Sequence, residues 1–108
     1  MATVNLTLDT FEETVMGEGI TFVDFWAEWC GPCKMFGPIF EKASDAHPDI
    51  RFAKVDTEAE QQLGAQFNIR SIPTLALFQG GREVARQAGA MGTADIVRWV
   101  NSQTTASR

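Results

Sequence analysis

The run from Ile20 to Ala27 limits the folds open to this chain more than any other segment. It reads Ile-Thr-Phe-Val-Asp-Phe-Trp-Ala, so apolar side chains occupy both odd and even positions. Successive side chains of a strand point to opposite faces of its sheet, so a strand that is apolar at both parities is covered on both faces. The run therefore predicts an inner strand with helices packed on either side of its sheet.

The other segments supply the remaining strands and the helices. Strands are predicted at Ala2–Thr7, Ile50–Asp56, Pro73–Gln79 and Arg82–Ala88, and helices from Asp9, over Pro32–Ala46, over Thr57–Phe67 and from Thr93. The two glycines Gly80-Gly81 between the last two strands predict a tight antiparallel hairpin. The order β-α-β-α-β-α-β-β-α predicts an α/β fold in which a mixed sheet lies between helices.

Local patterns predict how several helices begin and what they bury. Capping-box spacing occurs twice, at Asp9 with Glu12 and at Thr57 with Glu60. Within the helix after Pro32, we assign three side chains to the core: Met35, Phe36 and Phe40. The polar end of the chain, residues 102–108, is expected to fray.

Composition excludes several classes of protein. A chain of 108 residues is one ordinary domain, so we expect residues 1–108 to form a single unit. With 14 acidic and 9 basic residues the net charge is −5, which disfavours sequence-independent binding to nucleic acid. The first basic residue is Lys34, and no apolar run approaches the roughly 20 residues that span a bilayer. We therefore expect a cytoplasmic protein that binds neither nucleic acid nor membranes.

The two cysteines, Cys30 and Cys33, are separated only by Gly31 and Pro32. A structural disulfide closing a loop of about four residues stabilises a fold by only ~2 kcal/mol. A metal site needs about four ligands, and the single histidine, His47, lies at the end of a predicted helix. A structural disulfide and a metal site both stay open as interpretations, but a closely spaced cysteine pair in a reducing compartment favours redox chemistry.

The position of the pair predicts different roles for its members. Cys30 ends the loop after a strand, and Cys33 lies in the first turn of the next helix. Free amide groups and the positive end of the helix dipole favour a thiolate at Cys30, so we expect its pKa to fall below the ordinary value of about 8.5. Cys30 is then the nucleophile, and Cys33, shielded by the helix, acts second.

The segment Val23-Asp24-Phe25-Trp26-Ala27-Glu28-Trp29-Cys30-Gly31-Pro32-Cys33-Lys34 resembles the active-site segment of the thioredoxin family. The similarity extends over residues 3–101 and includes four further motifs: Phe52–Asp56, Ile72-Pro73-Thr74, Gly80-Gly81 and Ala88-Gly89-Ala90. It implies a thioredoxin-like three-layer α/β/α fold with a central mixed sheet.

The resemblance also implies a function. Cys30 would attack a substrate disulfide and Cys33 would resolve the mixed disulfide, with Gly31 and Pro32 tuning the redox pair. No cofactor or metal would be bound; NADPH would act indirectly, through a thioredoxin reductase. Substrates typical of the family are ribonucleotide reductase, methionine sulfoxide reductase and peroxiredoxin, and we expect a monomer. Two alternatives remain: a disulfide oxidase or isomerase, and a non-catalytic module that lends its apolar face to a partner enzyme.

Two charged residues are candidates for proton handling. Asp24 interrupts the apolar strand, where burial raises a carboxyl pKa, so it could accept the proton of Cys33. The alternative is an ordinary acid that faces solvent at a strand end. Lys54, on a neighbouring predicted strand, is expected to pair with Asp24; the alternative is a lysine that extends along the sheet edge to water.

The resemblance further implies a cis peptide bond before Pro73. The backbone of Ile72 would then be free to pair with an extended substrate segment. A flat, weakly polar docking surface would include the residues Trp29, Gly31, Pro32, Ile72, Gly89 and Ala90.

Overall fold

A five-stranded mixed sheet forms the middle layer of the protein in the computed structural model, which describes residues 3–105 and side chains as far as residue 103. The elements are β1 (Thr3–Asn5), α1 (Leu8–Val15), β2 (Ile20–Trp26), α2 (Gly31–Ala46), β3 (Ile50–Asp56), α3 (Gln61–Gln66), β4 (Thr74–Gln79), β5 (Arg82–Ala88) and α4 (Thr93–Thr105). The strand order is β1-β3-β2-β4-β5. The apolar run at 20–27 therefore forms the middle strand, and the predicted α/β fold is confirmed.

The sheet is parallel on one side of β2 and antiparallel on the other. Strands β1 and β3 run parallel to each other and to β2, whereas β4 is antiparallel to β2 and to β5. The last two strands are joined by Gly80 and Gly81, whose φ angles are +63° and +81°. Two consecutive positive φ values produce the backbone twist of a two-residue hairpin, and glycine adopts them without a Cβ penalty. The predicted hairpin is confirmed.

Each face of the sheet carries its own core, because strand side chains alternate. Val23 and Phe25 pack with side chains of α1 and α3 on one face, while Phe22 packs with α2 and α4 on the other. By the same alternation Asp24 shares its face with Phe22, so it lies on the side of the sheet that α2 covers.

Both predicted capping boxes are wrong. Helix α1 begins after Thr7, and the Thr10 hydroxyl accepts a hydrogen bond from the Thr7 N–H at 2.9 Å. The threonine pair thus occupies the cap, and Asp9 follows inside the helix. Helix α3 begins only at Gln61, and the Thr57 hydroxyl does not cap it but donates to the carbonyl oxygen of Trp26, 3.0 Å away.

One other expectation also needs correction. Phe36 and Phe40 are buried as predicted, but Met35 is 78% exposed. Helix α4 continues to Thr105, so the first four residues of the segment expected to fray belong to a helix, and their fraying stays a prediction. Residues 106–108 of that segment, and Ala2 of the first predicted strand, lie outside the described residues. Within residues 3–105, no helix has the length and apolar character needed to cross a membrane.

Candidate active site

The two cysteines lie at the start of α2 and are joined by a disulfide bond, with their Cα atoms 5.2 Å apart. Cys30 is the N-cap residue, with an extended backbone, and Pro32 occupies the first turn, where its missing N–H costs no helical hydrogen bond. The backbone N–H of Cys33 donates to the Cys30 sulfur at 3.2 Å. This hydrogen bond and the positive end of the helix dipole both stabilise negative charge on Cys30.

Both cysteines are buried: Cys30 is 4% exposed and Cys33 is 2% exposed. They form a small cluster with Ala27, and the half-buried side chains of Trp26 and Ile72 pack against it. The disulfide is therefore held in a mainly apolar setting at the edge of the protein.

The segment before β4 approaches the disulfide from a distant part of the chain. The carbonyl oxygen of Ile72 lies 3.7 Å from the Cys30 sulfur, and the Ile72–Pro73 peptide bond is cis. The carbonyl of Pro73 accepts a hydrogen bond from the N–H of Gly89 at 2.8 Å, and Gly89 has a φ of +94°. This bond joins the turn that contains Gly89 and Ala90 to the cis-proline segment.

The residues proposed for docking differ widely in exposure. Trp29 is 70% exposed, and Gly31, Pro32 and Ala90 also lie on the surface. Ile72 and Gly89 are half-buried, whereas Pro73 is buried.

A groove of about 660 Å³ lies beside this surface, between Trp29 and Ile72. Its lining includes Glu58 and Arg70, which contribute charge of both signs. These two residues are not among the site residues predicted from the sequence. Apart from Trp29, the lining comes from the single stretch 57–72, and local spacing does not show that this stretch lies beside Trp29 in the folded protein.

Asp24 is 1% exposed, and both of its carboxyl oxygens are buried without a hydrogen-bond partner in the described part of the chain. Burial raises the pKa of Asp24 from 3.8 to about 7, although the positive charge of Lys54 acts in the opposite direction. The Asp24 side chain is thus an acid that can exchange a proton near neutral pH.

Lys54 is the direct neighbour of Asp24 on β3, but its ammonium group has another contact. The Nζ atom lies 4.7 Å from the ring centroid of Trp26, in a cation–π arrangement. Neither carboxyl oxygen of Asp24 accepts a hydrogen bond from a described residue. Lys54 therefore does not hydrogen-bond to Asp24, and its positive charge acts on the carboxyl group only at a distance, lowering its pKa.

Metal binding is another chemistry open to a pair of cysteines. Among the described residues, no group of three or more His, Cys, Asp or Glu side chains could hold a metal ion.

A disulfide at the start of a helix in a three-layer α/β fold defines a class, the thioredoxin-type dithiol–disulfide oxidoreductases. Comparison with known proteins narrows this class to a family. The family described as Thioredoxin matches residues 2–102. A thioredoxin-type protein of Streptomyces coelicolor is 50% identical over 88% of this chain and 71% of its own length.

Two other proteins extend the comparison. The crystal structure of the Malassezia sympodialis thioredoxin superposes with a TM-score of 0.85 at 33% identity, covering 95% of this chain and 94% of that one. A bifunctional thioredoxin reductase/thioredoxin of Mycobacterium leprae is 42% identical over 82% of this chain, which corresponds to 19% of that protein. The chain belongs to the thioredoxin family, and it is a dithiol–disulfide oxidoreductase with protein-disulfide reductase activity. The two alternatives, a non-catalytic binding module and a disulfide oxidase or isomerase, are not favoured.

Proposed function

We propose that the protein is a general reductase of protein disulfides, in which Cys30 attacks the substrate and Cys33 resolves the intermediate. The main observation in support is the asymmetric position of the two sulfurs. Cys30 caps α2 and accepts the N–H of Cys33, so a thiolate at Cys30 is stabilised by the helix start.

The reaction takes place in two exchanges. First, the Cys30 thiolate bonds to one substrate sulfur, the substrate S–S bond breaks, and the departing substrate thiolate takes a proton from water. Second, Cys33 loses its proton and attacks the Cys30 sulfur. The Cys30–Cys33 bond forms, and the remaining substrate sulfur leaves as a thiolate that is then protonated. Two electrons pass to the substrate, and the protein becomes oxidised.

Asp24 is proposed as the acceptor of the Cys33 proton, directly or through water. Its burial on the α2 side of the sheet and its pKa of about 7 suit this role, because a base works best when its pKa is near the working pH. Lys54 would tune the acid by favouring the charged form of Asp24.

Substrate docking is proposed on the surface around the disulfide. Exposed Trp29 supplies apolar contact area, and the backbone of Ile72, whose carbonyl oxygen lies 3.7 Å from the Cys30 sulfur, can pair with an extended substrate chain. The other members of this surface are Gly31, Pro32, Pro73, Gly89 and Ala90.

The electrons are proposed to come from NADPH through a thioredoxin reductase. The Mycobacterium leprae relative, whose name joins a reductase to a thioredoxin in one protein, supports this partner. Ribonucleotide reductase, methionine sulfoxide reductase and peroxiredoxin are the proposed substrates. We propose that one domain carries out the whole reaction as a monomer in the cytoplasm. There the reductase would keep Cys30 and Cys33 in the reduced, dithiol form.

The direct test couples insulin-disulfide reduction to NADPH oxidation by a thioredoxin reductase. The parent protein should turn over many times, and Cys30→Ser should abolish the reaction. Cys33→Ser should instead accumulate a stable mixed disulfide between Cys30 and its substrate. If the doubly substituted variant, Cys30→Ser with Cys33→Ser, retained full activity, the protein would be a binding module. A reduction potential well above the glutathione poise would indicate an oxidase.

A further inference from the structure

The three methionines within residues 3–105 differ widely in exposure. Met35 is 78% exposed and Met16 is 59% exposed, whereas Met91 is half-buried. Each residue of an α-helix is turned by about 100° from the one before it, so Met35 points away from the side of α2 on which Cys33 is buried. Packing in the core does not account for Met35, and its side chain is open to small molecules dissolved in water.

An oxidant that attacks sulfur meets different groups in the two redox states of the protein. In the dithiol form, the Cys30 thiolate is the better nucleophile, so a hydroperoxide oxidises it first and Cys33 then closes the disulfide. In the disulfide form no cysteine of the described residues is free, and the whole chain contains only these two. Exposed thioether groups are then the sulfur atoms most open to further oxidant.

We propose that Met35 is a reversible oxidation site, which hydroperoxides convert into methionine sulfoxide when the protein is in its disulfide form. One oxygen atom passes from the hydroperoxide to the Met35 sulfur, which loses two electrons. The O–O bond breaks, and hydrogen peroxide leaves as water. In the reverse step a methionine sulfoxide reductase releases the same oxygen as water, with two electrons and two protons from a dithiol.

The place of Met35 on the surface determines what its oxidation changes. Met35 lines a groove of about 380 Å³ together with Pro32 and Ala90, which belong to the surface proposed for docking. The described lining carries no charged side chain, so the sulfoxide adds a polar oxygen to an apolar part of that surface. Oxidation should therefore slow exchange with protein disulfides and leave exchange with small disulfides unchanged. This consequence rests on the proposed function as a disulfide reductase.

The first measurement locates the oxidised residues and does not depend on activity. The disulfide form is treated with hydrogen peroxide, and its proteolytic peptides are followed by mass spectrometry. Met35 and Met16 should be oxidised faster than Met91, because they are more exposed. The dithiol form, given one equivalent of peroxide, should form the disulfide and keep the Met35 thioether. Oxidation of Met35 no faster than Met91, or ahead of the thiols, overturns the proposal.

The second measurement compares rates of disulfide reduction before and after peroxide treatment. With insulin the rate should fall by roughly ten-fold, as expected when a polar group enters an apolar contact without a partner. With bis(2-hydroxyethyl) disulfide the rate should not change. Met35→Leu should keep its own insulin rate through the treatment. Met16→Leu, which removes an exposed methionine at the end of α1, should lose its rate as the parent does.

Two further samples separate the sulfoxide from other damage. Met35→Gln, which carries a polar group of similar length, should reduce insulin slowly before any treatment. Treated parent protein, incubated with dithiothreitol and with methionine sulfoxide reductases for both epimers, should recover its insulin rate once these reagents are removed.

Each contrary outcome has a distinct meaning. A loss of insulin reduction that Met35→Leu does not prevent, or that repair does not reverse, overturns the proposal. An equal loss with insulin and with the small disulfide places the damage at the cysteines and also overturns it. An untreated parent protein that reduces neither disulfide overturns the proposed function, while the peptide analysis still decides whether Met35 is the oxidation site.

Discussion

Asp24 and Lys54 are direct neighbours on the parallel strands β2 and β3, yet the ammonium group of Lys54 lies over the ring of Trp26. Within residues 3–105, neither Asp24 oxygen has a hydrogen-bond partner. The lysine is near enough to favour the charged carboxylate but does not offset the cost of its burial. This imbalance keeps the pKa of Asp24 near neutrality, where a change of protonation state can accompany a reaction.

Burial of Asp24 should make the stability of the oxidised protein depend on pH. Between 3.8, the ordinary pKa, and about 7, the folded protein holds a proton that the unfolded chain has lost. Unfolding therefore becomes easier as pH rises through this window, by up to about 4 kcal/mol in total, and the loss levels off above pH 7.

Urea denaturation of the parent and of Asp24→Asn at pH values from 4 to 8 measures this contribution. The cost of burying the amide is independent of pH, so the parent should lose stability relative to the variant as pH rises. If the free energies of unfolding of the parent and of Asp24→Asn changed in parallel with pH, a raised pKa at Asp24 would be contradicted.

Loss of the Asp24 carboxylate should slow the second exchange more than the first. Without an acceptor for the Cys33 proton, resolution of the mixed disulfide in Asp24→Asn should be roughly 100-fold slower at pH 7. Stopped-flow measurement of the intermediate separates the two steps. Asp49→Asn, at an exposed acid, is the matched control. A variant that resolves the intermediate as fast as the parent excludes Asp24 as the acceptor.

Removal of the Lys54 charge should raise the pKa of Asp24 above about 7, since this lysine lowers it. An NMR titration of the Asp24 carboxyl carbon in Lys54→Met gives the value directly. Lys42→Met, which removes an exposed charge of the same sign, should leave the pKa of Asp24 unchanged. An unchanged or lower pKa in Lys54→Met would show that the lysine does not tune the acid.

Alanine substitution at either hairpin glycine should destabilise the protein by about 1–2 kcal/mol, because both have positive φ. A Cβ at Gly81 would also lie 2.7 Å from the sulfur of Met16, whereas a Cβ at Gly80 would meet open space. Gly81→Ala should therefore be the more costly change. Thermal unfolding of Gly81→Ala, with and without Met16→Ala, measures how much of the destabilisation comes from the clash with Met16. If Gly80→Ala and Gly81→Ala destabilised the protein equally, the clash would contribute nothing.

Features encoded by neighbouring residues could be derived from the sequence by itself. The two-sided apolar run at 20–27, the hairpin glycines and the position of Cys30 and Cys33 at a helix start all follow from local spacing. Local spacing reflects the geometry of one helix or strand, so it carries over into the folded protein. The cis bond before Pro73 was expected only from resemblance to a family.

Tertiary structure decided what depends on residues far apart in the chain. It bonded the Thr57 hydroxyl to the Trp26 carbonyl and placed Met35 on the surface. It also left the Asp24 carboxyl without a hydrogen-bond partner among the described residues, while the ammonium group of Lys54 lies over the ring of Trp26. Burial and pKa depend on which segments the fold brings together. Periodicity places a side chain on one face of a helix or strand, but the elements packed against that face determine whether it is a core residue, a proton acceptor or part of a binding groove.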